Sequence, residues 1–209
     1  MTPGHILAFI QFSLASAITP GPNNAMLLAS GANFGVRRTI PHMMGVSIGY
    51  GFLVLSVGLG LGLLFQVAPV LEDIIWALGT LYLLYLAWKI ATAAGLGGAA
   101  TRSSPFSFLQ AAAFQWINPK AWTGAIGTVG TFAPRNASYS DLALLVGLSI
   151  ATTIPAVVLW TAGGLGVRQL LDKPRLLRIF NVLMALLLAL SLIPPALEHL
   201  AHLSGAESG

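Results

Sequence analysis

Polar positions are scarce along this chain, and they come at intervals. Between them lie six mostly apolar stretches, approximately His5–Ser30, Ile40–Gln66, Val70–Ala94, Pro105–Phe132, Asp141–Ala162 and Leu176–Leu197. Each is long enough to cross a hydrocarbon core about 30 Å thick, which takes about 20 residues of helix. The pattern predicts an all-α integral membrane protein with six transmembrane helices. The short connections make it a single transporter-sized domain over 1–209.

Two of the predicted spans are interrupted. Span one contains ITPGPNNAMLL, Ile18 to Leu28, and span four contains FQWINPKAW, Phe114 to Trp122. A proline removes a backbone donor and clashes with the preceding turn. Irregular backbone at membrane depth is tolerated only inside protein or along a wet cavity. The flanking sequences also resemble each other. Thr19–Arg37 aligns with Asn118–Arg135 with one gap, matching Pro20 to Pro119, Phe34 to Phe132 and Arg37 to Arg135. This predicts two three-helix repeats, about 1–98 and about 103–209, with proline-broken helices 1 and 4. An odd number of spans per repeat makes the repeats inverted, and paired broken helices in inverted repeats are a transporter signature.

Composition agrees with the membrane reading. The chain is 56% hydrophobic and 8% charged, against about 25% charged in soluble domains, and its mean hydropathy is +0.82. Of the ten basic residues, eight fall in connections or at span ends on one side: Arg37, Arg38, Lys89, Arg102, Arg168, Lys173, Arg175 and Arg178. The positive-inside rule makes that side cytoplasmic and puts both termini outside. Arg135 is the exception, and inversion of the repeat that carries Arg37 accounts for it. Trp76, Trp88 and Tyr139 suit an interfacial aromatic belt. No Lys or Arg precedes the first apolar run, so a cleaved signal peptide is not the reading. The pI of 9.9 comes without a dense basic run interleaved with aromatics, which argues against nucleic acid. With no cysteine, four histidines and six acidic residues, there is little material for a metal site, and no cofactor is implied. The spacings Gly45–Gly49 and Gly58–Gly62 let helices approach closely. Packing within one bundle is the first reading of these, and a homodimer interface the second.

The candidate site follows from the two breaks. Pro20, Gly21 and Pro22 free backbone groups, and Asn23 and Asn24 each add two donors and an acceptor. Lys120 lies roughly 21 Å into span four at 1.5 Å per residue. An ammonium so placed is costly, and it is functional by default unless it snorkels to the interface. Gln115 and Asn118, with Pro119 between Asn118 and the lysine, could hold Lys120 or face the same cavity. A pocket with Lys120 and a half-helix N-terminus attracts a carboxylate, and freed carbonyls could hold one ammonium. The expected substrate is a zwitterion with a small neutral side chain. His42 and Asp141 are secondary candidates for a proton relay or gate, each also readable as an ordinary interfacial or helix-start residue. Arg168 to Arg178 reads as a loop meeting anionic headgroups.

The motifs TPGPNNAMLL, GANFGVRR, GVSIGY, GLGLGLLF, YLLYLAWKI and INPKAW, in that order over nearly the whole chain, resemble the LysE/RhtB family of bacterial amino-acid exporters. The pattern is nearest to the branch that exports cysteine and O-acetylserine. The resemblance implies a multi-pass protein of the bacterial cytoplasmic membrane that moves small amino acids outward, driven by the proton motive force. It also carries the family's broken segments onto Pro20, Gly21, Pro22 and Asn23, and onto Asn118, Pro119 and Lys120. Some members have an aspartate near the position of Tyr50, where this chain reads SIGYG. That departure supports a neutral substrate and leaves proton coupling to other groups. A metal-ion or other small-solute exporter on a related six-helix plan would call for embedded carboxylates, cysteines or histidines. An intramembrane enzyme would need a nucleophile–base pair or metal motif: H-E-x-x-H does not occur, and the G-x-S-x-G string at Gly45–Gly49 lies inside apolar span two, where Ser47 has no evident base.

Overall fold

The computed structural model describes residues 1–63, 67–92, 104–134, 136–167, 173–193 and 197. Its described residues form seven α-helices: α1 Pro3–Ile18, α2 Pro22–Ser56, α3 Pro69–Ala91, α4 Phe108–Phe114, α5 Pro119–Phe132, α6 Tyr139–Val167 and α7 Pro174–Leu190. A π-helical turn, Val57–Leu61, extends α2, and a 3-10 turn, Gln115–Ile117, extends α4. The expected all-α fold is present. Arg102, Arg135 and Arg168, used above to orient the chain, lie outside the described residues.

Local chemistry sets the helix starts. Thr2 caps α1 by accepting from His5 N, and Pro3 follows at the first turn, where its missing N–H costs nothing. Ser107 and Gln110 form a reciprocal capping box at α4. Ser138 and Asp141 exchange side-chain and backbone hydrogen bonds at α6. Pro22, Pro119 and Pro174 each open a helix.

The predicted loop between spans one and two is not an open connection. Helix continues from Pro22 to Ser56 with one break at Gly35, whose φ of 75° and ψ of 167° suit only glycine. Arg37 and Arg38 therefore stand in the first turn of the second arm. Two hydrogen bonds hold the bend: Thr39 Oγ1 to Gly35 O at 2.8 Å, and the Ser30 and Thr39 hydroxyls at 3.0 Å.

The distribution of side chains inverts that of a water-soluble domain. Leu81 and Trp88 on α3, Leu159 on α6 and Leu183 on α7 are exposed, whereas Ser47, Gln115, Asn118, Ser149 and Thr161 are buried. The Pro22–Leu61 and Tyr139–Val167 helices are long and apolar enough to cross a membrane; the other apolar helices are shorter. The shorter ones include α1, which ends at the first break.

Small residues set the close contacts. Gly45 and Gly49 pack on Phe108, Ala111 and Ala112 of α4, so that spacing serves internal packing. Between α2 and α6, a Cβ on Gly31 would run into the Thr161 carbonyl, and one on Gly164 into the Leu28 carbonyl. Neither backbone can yield without parting the helices. Gly31→Ala is expected to cost about 1–3 kcal/mol through overpacking, read as a lower thermal midpoint of the purified protein in detergent.

Candidate functional site

Deleted donors build the first break. In a continuous helix the N–H of residue 20 would serve Ser16 O, and that of residue 22 would serve Ile18 O. Both positions are proline. The helix ends at Ile18, and Pro22 restarts it after extended Gly21.

Side chains from elsewhere then take the released carbonyls. Asn24 Nδ2 donates to Ala17 O and to Thr19 O, both at 2.8 Å. Trp160 Nε1, from α6, reaches Ile18 O at 3.3 Å. Lys120 Nζ donates to Thr19 O at 2.7 Å and to Pro20 O at 3.2 Å. The helix C-terminus, the negative end of its dipole, thus receives a cation.

The second break is built in the same way. Asn118, with φ −93° and ψ 105°, leaves the helical region, and Pro119 begins α5. Trp122 Nε1 donates to the Trp116 carbonyl at 2.9 Å. Lys120 is the second residue of α5, so the turn that starts α5 carries the ammonium to the break between α1 and α2.

A pair of amides joins the two breaks directly. Asn23 Nδ2 donates to Gln115 Oε1 at 2.8 Å, and Gln115 Nε2 donates back to Asn23 Oδ1 at 3.2 Å and to Ala111 O at 2.9 Å. Gln115 is 0% exposed, whereas Asn23 lines a cleft. Asn23→Leu strands a buried amide and is expected to cost about 1–3 kcal/mol. Gln115→Leu leaves an asparagine that cleft water reaches and should cost less. The double variant should recover part of the loss, because removing both polar partners approaches neutrality. Detergent thermal unfolding of all three, as a double-mutant cycle, checks this.

The cleft has an empty volume of about 650 Å³ with its mouth included. Its walls come from Phe12, Ser13, Ser16 and Ala17 of α1, Val46 and Tyr50 of α2, Ala121, Gly124 and Thr128 of α5, and Thr153, Ala156 and Val157 of α6. Its floor is Gly21, Pro22, Asn23, Asn24, Asn118 and Lys120. Lys120 is the one charged side chain among these lining residues. The N-terminal ends of α2 and α5 open here beside the C-terminal end of α1. The site therefore offers donors and acceptors a few ångströms apart. Asn118 Oδ1 is buried without a hydrogen-bond partner.

The LysE type translocator family profile matches residues 14–191, which takes in both breaks. This chain belongs to the LysE type translocator family. It is similar to the cysteine/O-acetylserine efflux proteins of Escherichia coli K12, of Escherichia coli O6:H1 CFT073 and of Shigella sonnei Ss046. Each is 30% identical over 197 residues, covering 90% of this chain and 95% of the relative. No solved structure matches. Membership makes the protein a membrane translocator and gives its apolar exterior a lipid environment.

The translocator brings most of the predicted residues together. Gly21, Pro22, Asn23, Asn24, Asn118 and Lys120 line the cleft, Gln115 supports Asn23, and Pro20 contributes its carbonyl. Pro119 is buried behind them as the helix start. Lys120 is held neither by Gln115 nor by Asn118. Backbone oxygens about a hundred residues earlier hold it. His42 stands apart from the cleft, buried with its ring 5.3 Å from that of Phe106. Asp141 is at the α6 start, hydrogen-bonded to Ser138 and 4.0 Å from the Met1 ammonium. The sequence reading missed Tyr50, Gly124 and Thr128 as wall residues, and Trp160 as a partner of the break. Lys120, Gly124 and Thr128 stand at i, i+4 and i+8, a helical stripe that could have exposed the wall.

Proposed function

We propose that this translocator exports small neutral amino acids or close derivatives, of the kind of cysteine, O-acetylserine or homoserine, from the bacterial cytoplasm across the cytoplasmic membrane. The driving force in this reading is the proton motive force. One observation carries the proposal: the only charged side chain lining the cleft among the described residues, Lys120 of one broken segment, ends on the freed carbonyls of the other. Such a place offers a cation for a carboxylate and oxygens for an ammonium, within walls of modest size. The relatives, cysteine/O-acetylserine efflux proteins, agree with an outward-moved amino acid of this size.

The rest of the reading follows. The two breaks belong to inverted three-helix repeats within six spans, both termini lie outside, and any homodimer forms away from the cleft. Alternating access then rocks the repeats around the fixed site. Tyr50, Gly124 and Thr128 shape the seat of the substrate side chain. With no acidic side chain among the described residues that line the cleft, neutral side chains are preferred to those of lysine or arginine.

Efflux from preloaded cells across a panel of neutral and basic amino acids tests this. Cells expressing the chain should release cysteine, O-acetylserine or homoserine faster than vector controls and lysine no faster, and a protonophore should abolish the difference. Equal release of every amino acid by both cell lines would refute the proposal.

A further inference from the structure

The oxygens best placed to receive a substrate ammonium already hold one. Lys120 Nζ sits on Thr19 O and Pro20 O, while the neighbouring carbonyls of Ala17 and Ile18 are committed to Asn24 and Trp160. The seat is shaped to the lysine. A Cβ on Gly21 would lie 2.8 Å from Lys120 Cδ and 2.9 Å from Nζ. Gly21 has an extended backbone, φ −172° and ψ 179°, that any residue adopts. Glycine there provides room, not backbone freedom. Asn118 lines the same cleft, and its buried Oδ1 has no hydrogen-bond partner.

We propose that Lys120 is a resident stand-in for the substrate ammonium, and that an α-amino acid binds by exchange. The substrate carboxylate draws Lys120 Nζ off the Thr19 and Pro20 carbonyls, and the substrate ammonium takes those oxygens together with Asn118 Oδ1. This rests on the cleft being the substrate site proposed above.

Charge stays matched throughout. Before binding, one cation lies on the carbonyls. Afterwards another lies there, and the lysine is paired with a carboxylate. The flexible four-carbon stem of lysine and its three rotatable donors allow the move. A simple amine meets an occupied seat and has nothing to draw the lysine away. A simple carboxylate draws the lysine away and leaves the carbonyls without a cation. Only a molecule with both ends completes the exchange, so the device selects zwitterions whatever their side chain.

The test uses the full chain in detergent, with cysteine and cysteamine, which lacks only the carboxylate, as probes under reducing conditions. The chain has no cysteine, so the probes cannot form mixed disulfides with it. Binding is read by calorimetry on the wild type, Lys120→Met and Gly21→Ala. Gly21→Ala needs only the mobile end of Lys120 to shift, so it preserves the fold and the charge while crowding the seat. The wild type should bind cysteine in preference to cysteamine. Lys120→Met should bind cysteamine about tenfold tighter than the wild type does, the equivalent of one charge-assisted hydrogen bond, and lose its preference for cysteine. Gly21→Ala should also gain cysteamine affinity. Cysteamine binding no tighter in either folded variant than in the wild type overturns the exchange and leaves the exporter reading standing. Failure of the wild type to bind or move any amino acid overturns the exporter reading; a cysteamine gain in the variants would still report an occupied seat.

Discussion

Lys120→Met should lower amino-acid efflux by roughly ten- to a hundredfold, with folded protein still in the membrane. The estimate takes a hydrogen bond to a charged group as worth about 1.5–3 kcal/mol and each 1.4 kcal/mol as about tenfold. The variant takes the cation from the cleft but leaves its packing nearly unchanged, and cleft water can satisfy the Thr19 and Pro20 carbonyls. Lys120→Arg keeps the charge but replaces a compact ammonium with a planar fork, which fits two converging carbonyls poorly. It should recover only part of the rate. Initial efflux rates at low internal substrate, normalised to immunoblotted protein, check both. Unchanged rates in Lys120→Met would remove the lysine from the mechanism.

Asn24→Leu is the second large effect, and it falls on the fold as well as on transport. Asn24 is buried, and its Nδ2 group serves two carbonyls of the break. Leucine is of similar size and cannot donate. Ala17 O then loses its partner, and Thr19 O keeps only Lys120. One orphaned, part-buried carbonyl costs up to about 1–3 kcal/mol, and the chain between α1 and α2 loses its brace. A lower detergent thermal midpoint together with lost efflux is expected. Asn24→Ser, which keeps a shorter donor, should fall between the two. An unshifted midpoint in Asn24→Leu would mean that the break is braced by something else.

How far the sequence reached can be judged from these same residues. Local chemistry was legible. Prolines 20, 22 and 119 mark the helix breaks because a missing N–H acts within four residues. The polar side chains beside them read as their partners because nothing else in those stretches can bond a freed carbonyl. The bend at Gly35 was read as a loop, because a glycine followed by two arginines looks like a span end when the helix on both sides of it cannot be seen. What sequence could not give was reach. Trp160 meets Ile18 across 142 positions, and Lys120 meets Thr19 across 101. Such meetings depend on how α5 and α6 pack against the break, which no local period encodes. Hence Gln115, which in sequence could hold the lysine or face the same cavity, turned out to be Asn23's partner.

The central claim is that a substrate occupies the cleft between the two broken segments. A chain without native cysteine allows a direct measurement of that claim. Thr128→Cys and Gly124→Cys, on the cleft wall, and Ser140→Cys, on the exposed start of α6, are labelled with a small maleimide with and without saturating O-acetylserine, which carries no thiol. The account predicts that O-acetylserine slows labelling at positions 124 and 128 severalfold and leaves position 140 unchanged. Equal labelling rates with and without O-acetylserine at both cleft positions, in variants that still export it, would contradict the account.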